Sequence, residues 1–118
     1  MAAFETWDVV KVPFPYTDRP VRQRRPALVI AAGALEMSHG LLWVTMITSA
    51  ENRGWPEDVA VSDLDAAGLP AESVVRCAKI ATIEARDAER IGALPRTDRR
   101  KVARHLADIV AGAIGRAR

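Results

Sequence analysis

Residues 24–32 read RRPALVIAA: two arginines and a proline running into six consecutive apolar residues. An unbroken apolar run of this length, stopped by Gly33, marks a strand covered on both faces rather than one with a solvent side. Pro26 disfavours a helical conformation at Arg25 and keeps it extended. A side chain leaving a buried strand at its rim is aimed more firmly than one on a free loop. Working outward from this strand, Trp7 to Phe14 alternates, with Val10, Val12 and Phe14 expected on one face. Pro13 and Pro15 end regular pairing there. The polar and basic residues 15–24 between the two strands form a long exposed loop.

On the C-terminal side, Gly33 to Gly40 reads as a turn and Leu41 to Ser49 as a third strand rich in β-formers. Residues 50–56 form a loop and Val59 to Ser62 a short fourth strand. Asp63 to Glu72 is loop with room for one helical turn. Ser73 to Ile83 is a fifth strand, carrying β-branched Val74, Val75, Ile80, Thr82 and Ile83. Glu84 to Leu94 is ambiguous, with room for a short helix. The last segment is a helix capped by Thr97, with Val102, Leu106, Ile109, Val110 and Ala113 on one face and a stop at Gly115. The expected architecture is a mostly β, α+β fold: a five-stranded, mostly antiparallel sheet with a C-terminal amphipathic helix, forming one domain over residues 1–118.

The bulk composition bounds the function. Apolar residues make up 49% and charged residues 27%, which suits a packed globular domain and not a disordered chain. The longest apolar stretch, Ala27 to Leu35, is too short to cross a bilayer. The first eight residues hold Glu5 and Asp8 and no basic group, so a secretory signal is not expected. The single Cys77 forms no internal disulfide or cysteine-based zinc site, and a reducing cytoplasm fits best. The basic residues are 14 Arg against 3 Lys. Arginine can grip a phosphate through two hydrogen bonds, so the bias suits an anionic partner; an arginine-rich codon preference accounts for it equally well.

Four constellations can carry chemistry. Arg24 and Arg25 can together hold a phosphate, or stand as solvated loop charges. Thr48 and Ser49 end the third strand, where hydroxyls donate to a phosphate oxygen or to the backbone of the next loop. Arg76 and Lys79, three residues apart on one strand, face opposite sides, so only one joins a given site; the plain alternative is an ion pair with an acid. Arg96 to Arg104 places five basic residues around Asp98, as an RNA-facing patch or a solvated helix face. Tyr16 and Trp55 offer faces on which bases can stack, or anchor their loops. His39 and His105 stand apart, and no metal or cofactor is expected.

In order along the chain, WDVVKVPFP (7–15), RRPALVI (24–30), MITS (46–49), AGLP (67–70), SVVR (73–76) and IGAL (91–94) resemble the MazF/PemK toxin family, which includes Kid. No one of these motifs is specific; the ordered set, spanning nearly the whole chain, is. The resemblance implies an SH3-like small barrel of about five antiparallel strands with a terminal helix, usually a homodimer. It implies the toxin of a type II toxin–antitoxin system, a metal-independent endoribonuclease cleaving single-stranded RNA at short sequences, with an antitoxin covering the RNA groove. The family's Arg-Pro arginine maps to Arg25, its strand-end threonine to Thr48, and the later strand arginine used in catalysis by the PemK/Kid branch to Arg76. Arg24, Ser49, Tyr16, Trp55 and Lys79 are the accompanying candidates for RNA contact. Two positions depart from the pattern. Trp7 replaces the Gly that usually precedes Asp8, and Ala78 replaces the Asp that serves the Kid branch as a proposed base. Competing readings are a non-catalytic CcdB-like toxin that binds gyrase, a small-barrel binding module without cleavage, and a toxin made inactive by the change at Ala78.

Overall fold

The computed structural model describes residues 3–13 and 23–115. Its strands are β1 (Asp8–Pro13), β2 (Arg24–Ala31), β3 (Leu41–Ser49), β4 (Asp58–Ala60), β5 (Ser73–Glu84) and β6 (Glu89–Ala93); its helices are α1 (Gly33–His39), α2 (Leu64–Ala67) and α3 (Arg96–Ile114). The strands form one antiparallel sheet in the order β4-β5-β3-β2-β1-β6. The pairings do not close on themselves, so the expected small barrel is a six-stranded sheet open between β4 and β6.

The apolar run on β2 lies centrally, between β1 and β3, and Ala27, Leu28 and Val29 are fully buried. Alternation sorts the side chains into two clusters. Val9, Leu28, Ile47, Val75 and Cys77 pack with α2, β4 and α3 on one face. Val10, Val12, Ala27, Val29, Leu42 and Val44 pack together on the other. Val10 and Val12 share a face as expected; Phe14 lies outside the described residues. In α3, Val102 is buried and Leu106 and Ile109 pack on the first cluster. Val110, expected on the same stripe, is 47% exposed because it lies about 100° round the helix from Ile109, which does pack. Among the described residues no helix is long and apolar enough to cross a membrane.

Four local readings need correction. The Gly33–Gly40 turn is helix α1, because Ala34, Leu35, Glu36 and Met37 are good helix formers; Gly40, at φ +67°, closes it by donating to the Glu36 carbonyl. The ambiguous stretch after β5 holds a 3-10 turn at Ala85–Asp87 and then β6. This sixth strand pairs with β1 alone, and an edge position tolerates its charged Glu89 and Arg90. Helix α3 begins at Arg96 behind Pro95, so Thr97 lies in its first turn and does not cap it. Finally, β5 is not a regular strand. Thr45 pairs with Ile80 and Met46 with Arg76, so Cys77, Ala78 and Lys79 bulge out of the ladder. The buried Thr45 hydroxyl holds this bulge, within reach of the carbonyls of Arg76 (2.5 Å) and Lys79 (3.1 Å).

Candidate functional site

An open cavity of about 660 Å³ lies at the ends of β2 and β3. Its lining includes Lys11, Arg25 and Pro26 from β1 and β2, and Met46 to Ser49 with Asn52 from β3 and the turn after it. Leu64, Asp65, Gly68 to Ser73 and Ile91 complete the lining. The register explains why Arg25 and Thr48 meet here. Ala27 pairs with Met46 across β2 and β3; continued by two residues, the same register sets Arg25 opposite Thr48. Side chains so opposed have Cβ atoms about 5 Å apart. The Arg25 Nε is buried without a hydrogen-bond partner.

Two glycines set how the segments around Gly68 and Ile91 pack together. A Cβ on Gly68 would lie 2.0 Å from the Ile91 carbonyl oxygen, and one on Gly92 would lie 2.4 Å from the carbonyl carbon of Ala67. The AGLP and IGAL segments therefore interlock backbone to backbone, fixing the turn after α2, which lines the cavity, against β6.

The remaining candidates are distributed differently. Thr48 accepts a hydrogen bond from the Asn52 side-chain amide at 3.1 Å. Ser49 lines the cavity, while its hydroxyl caps the 3-10 turn at Ala50–Asn52 by accepting from the Glu51 N–H. Arg24 and Arg25 do not act as a pair. Both belong to β2, whose alternation separates neighbouring side chains, and Arg24 turns away to donate to the carbonyls of Lys11 and Asp87 and approach Glu89. Arg76 is 8% exposed and is not among the residues lining the cavity. Its guanidinium makes a two-pronged ion pair with Asp58 at 3.0 and 3.2 Å, donates to the Asn52 carbonyl at 2.6 Å and lies 4.2 Å from the centre of the Trp55 ring. The ion-pair alternative for Arg76 is thus the geometry found, and one face of Trp55 is already engaged. Lys79 sits in the β5 bulge, away from the cavity. None of the five basic residues of α3 lines the cavity either. Tyr16 lies outside the described residues.

Four charged or amide-bearing lining residues were not singled out from sequence: Lys11, Asn52, Asp65 and Glu72. Lys11 had a signal, since it falls between Val10 and Val12 and so faces away from them. The others had none, because only folding of the 50–58 and 63–72 loops brings them to the strand ends. Cys77 is no nucleophile. Burial first, then the negative charge of Asp58, raises its thiol from 9.0 to about 11, so it stays protonated at neutral pH. Among the described residues no group of three or more His, Cys, Asp or Glu side chains is placed to hold a metal ion.

A family model described as "PemK-like, MazF-like toxin of type II toxin-antitoxin system" matches residues 5–110. No curated protein matches the sequence significantly. Among solved structures, MazF from Deinococcus radiodurans superposes with a TM-score of 0.74 at 23% identity, covering 91% of this chain and 96% of that one. The MazE-MazF complex of the same organism gives a TM-score of 0.70 at 22% identity, with 96% of each chain covered. An endoribonuclease from a mycobacterial species, solved with its cognate antitoxin, gives 0.72 at 17% identity, covering 92% of this chain and 96% of that one.

Proposed function

From the premise that the chain belongs to the family of PemK-like, MazF-like toxins of type II toxin–antitoxin systems, we propose that it is a sequence-selective endoribonuclease that cleaves single-stranded RNA without a metal ion. The observation that carries this reading is that Arg25 and Thr48 line one open cavity, just beyond the last paired residues, Ala27 and Met46, of the adjacent strands β2 and β3. In the proposed reaction the ribose 2′-oxygen attacks the adjacent phosphorus and the bond from phosphorus to the 5′-oxygen breaks. The products are a 2′,3′-cyclic phosphate, open to hydrolysis to a 3′-phosphate, and a 5′-OH. Negative charge grows on the phosphoryl oxygens as the new bond forms. Preorganised donors aimed at that charge are commonly the largest catalytic contribution. Arg25 supplies the cation and Thr48 a hydroxyl donor.

The 2′-OH must lose its proton, and the departing 5′-oxygen must gain one, from the protonated base or from water, to leave as a 5′-OH. Arginine is a poor acceptor because its pKa exceeds about 12. The carboxylates of Asp65 and Glu72 line the same cavity and take the place of the acid that Ala78 lacks. The toxin works in the cytoplasm as a homodimer, with Ser49 and Lys11 as further RNA contacts. A cognate antitoxin silences it by laying an acidic segment, ordered on binding, across the cationic side of the cavity.

The test is to incubate purified protein with RNA and sequence the 5′ ends of the fragments. Wild-type protein should give fragments with 5′-OH ends at a short recurrent sequence, equally with and without EDTA. Arg25→Ala should slow cleavage by about a hundredfold or more, the usual loss for one oxyanion donor, with an unchanged melting temperature. Intact RNA with the wild-type protein, or near-normal cleavage by a folded Arg25→Ala protein, overturns the reading.

A further inference from the structure

The four residues Asp58, Arg76, Asn52 and Thr48 form one unbroken chain of hydrogen bonds that runs from the buried interior to the cavity. At its inner end, Asp58 and Arg76 are paired with side chains 6% and 10% exposed. Asp58 binds the Nε and Nη2 atoms of Arg76, and the Trp55 ring covers the guanidinium. The guanidinium is thus held along one edge by the fork and on one face by the ring. Its Nη2 donates to the Asn52 carbonyl at 2.6 Å, which fixes the end of the 3-10 turn. The Asn52 side-chain amide donates to the Thr48 Oγ at 3.1 Å.

The direction of the last bond carries the chemistry. An amide N–H₂ can only donate, so the Thr48 oxygen is the acceptor. The hydroxyl hydrogen is not consumed in that bond and is left to point elsewhere, and Thr48 lines the cavity. We infer that Arg76 is a positioning residue: it acts through Asn52 to hold the Thr48 hydroxyl as a donor into the site, and it does not itself touch RNA. This deepens the ribonuclease reading and rests on it for the identity of the acceptor, a phosphoryl oxygen of single-stranded RNA. It also accounts for an arginine that is buried and paired yet placed on the strand that borders the site.

The inference makes a coupling claim, which a double-mutant cycle reads directly. Thr48→Val removes the hydroxyl and should lower kcat by about a hundredfold. Asn52→Ala keeps the backbone carbonyl for Arg76 but removes the donor, and should lower kcat by about five- to tenfold with KM nearly unchanged. In the Thr48→Val background Asn52→Ala should cost nothing more. Arg76→Lys keeps the charge but loses the fork, and should repeat the Asn52→Ala effect in both backgrounds. Melting curves of each variant confirm folding. Additive losses from Asn52→Ala and Thr48→Val overturn the inference. So does a further large fall in kcat when Arg76→Lys is added to Thr48→Val, since Arg76 would then act on substrate directly.

A second readout does not depend on cleavage. The side-chain amide resonances of Asn52, followed by NMR in the full chain, should move in Thr48→Val and in Arg76→Lys, while those of Gln23 stay in place. If wild-type protein leaves RNA intact, the ribonuclease reading fails and these resonances still decide the relay. An Asn52 amide indifferent to both substitutions overturns it.

Discussion

Trp7 adopts φ +81°, a left-handed backbone that non-glycine residues rarely take. Its N–H donates to the Val29 carbonyl and its carbonyl accepts from the Leu94 N–H, both at 2.8 Å, so the strained residue ties β2 to the entry of α3. A glycine, which the family pattern places at this position, would adopt this backbone without strain; this chain places a tryptophan there. What offsets the strain of about 1–2 kcal/mol is the indole, which packs against the cluster of Val9, Leu28 and Val102. Two substitutions separate these effects. Trp7→Ala loses the packing and keeps the strain; Trp7→Gly loses the packing and removes the strain. Both are expected to be less stable than wild type in urea titrations, with Trp7→Gly the more stable of the two by about 1 kcal/mol. Equal stability, or a reversed order, would show that the left-handed backbone costs nothing here. At this scale the sequence was legible where one neighbour imposes a conformation, as Pro26 does on Arg25. It was silent where the partner is distant, as for Asp58 with Arg76 or Asn52 with Thr48.

At the scale of elements, the contact between α2 and β6 depends on the absence of two methyl groups. A Cβ at Gly92 meets the carbonyl groups of Ala66 and Ala67 at 2.4–2.6 Å, all of it backbone with no flexible side chain to yield. Gly92→Ala should therefore destabilise by about 3 kcal/mol, at the upper end of overpacking costs. It should also slow RNA cleavage, because the wall carrying Leu69 to Ser73 must shift. Gly112 in α3 is the control, since nothing lies within 4 Å of its added Cβ. There the same substitution should be neutral or raise stability by up to about 1 kcal/mol, as for Gly to Ala in an exposed helix. Opposite signs in thermal melts are the expected result, and equal losses would refute the interlock. The contrast also shows which elements could be read in advance. The buried run of β2 and the β-formers of β3 and β5 announced themselves, because burial on both faces leaves a strong apolar signature. Strand β6 did not: its sequence ERIGA has an edge position and a glycine chosen for close approach, and neither produces an alternating pattern. Helix α1 was hidden by its flanking glycines, and the β5 bulge by a Thr45 that holds it from another strand.

At the scale of the molecule, the charge is spread rather than concentrated. The net charge is only +2 because 15 acidic residues oppose 17 basic ones, and several described cations are paired away from the cavity: Arg76 with Asp58, Arg90 with Asp8, Arg86 with Glu84 and Arg24 near Glu89. The cations lining the cavity are Lys11 and Arg25, and Asp65 and Glu72 line it too. Single-stranded RNA bound there should displace few counterions. Each neutralised phosphate contributes about −0.7 to the slope of log affinity against log salt, so two contacts give about −1.4. Raising salt fourfold should then weaken binding by about sevenfold, where a duplex-tracking basic surface with six or more contacts loses about a thousandfold or more. The measurement is the affinity for an RNA oligonucleotide carrying 2′-deoxyribose at the cleavage site, which binds without reacting, over a salt series. Lys11→Ala should flatten the slope by about 0.7, whereas Arg100→Ala on α3 should leave it unchanged. A slope steeper than about −3, or one that responds to Arg100→Ala, would place the helix cluster on the RNA path and make the cavity only part of the binding surface.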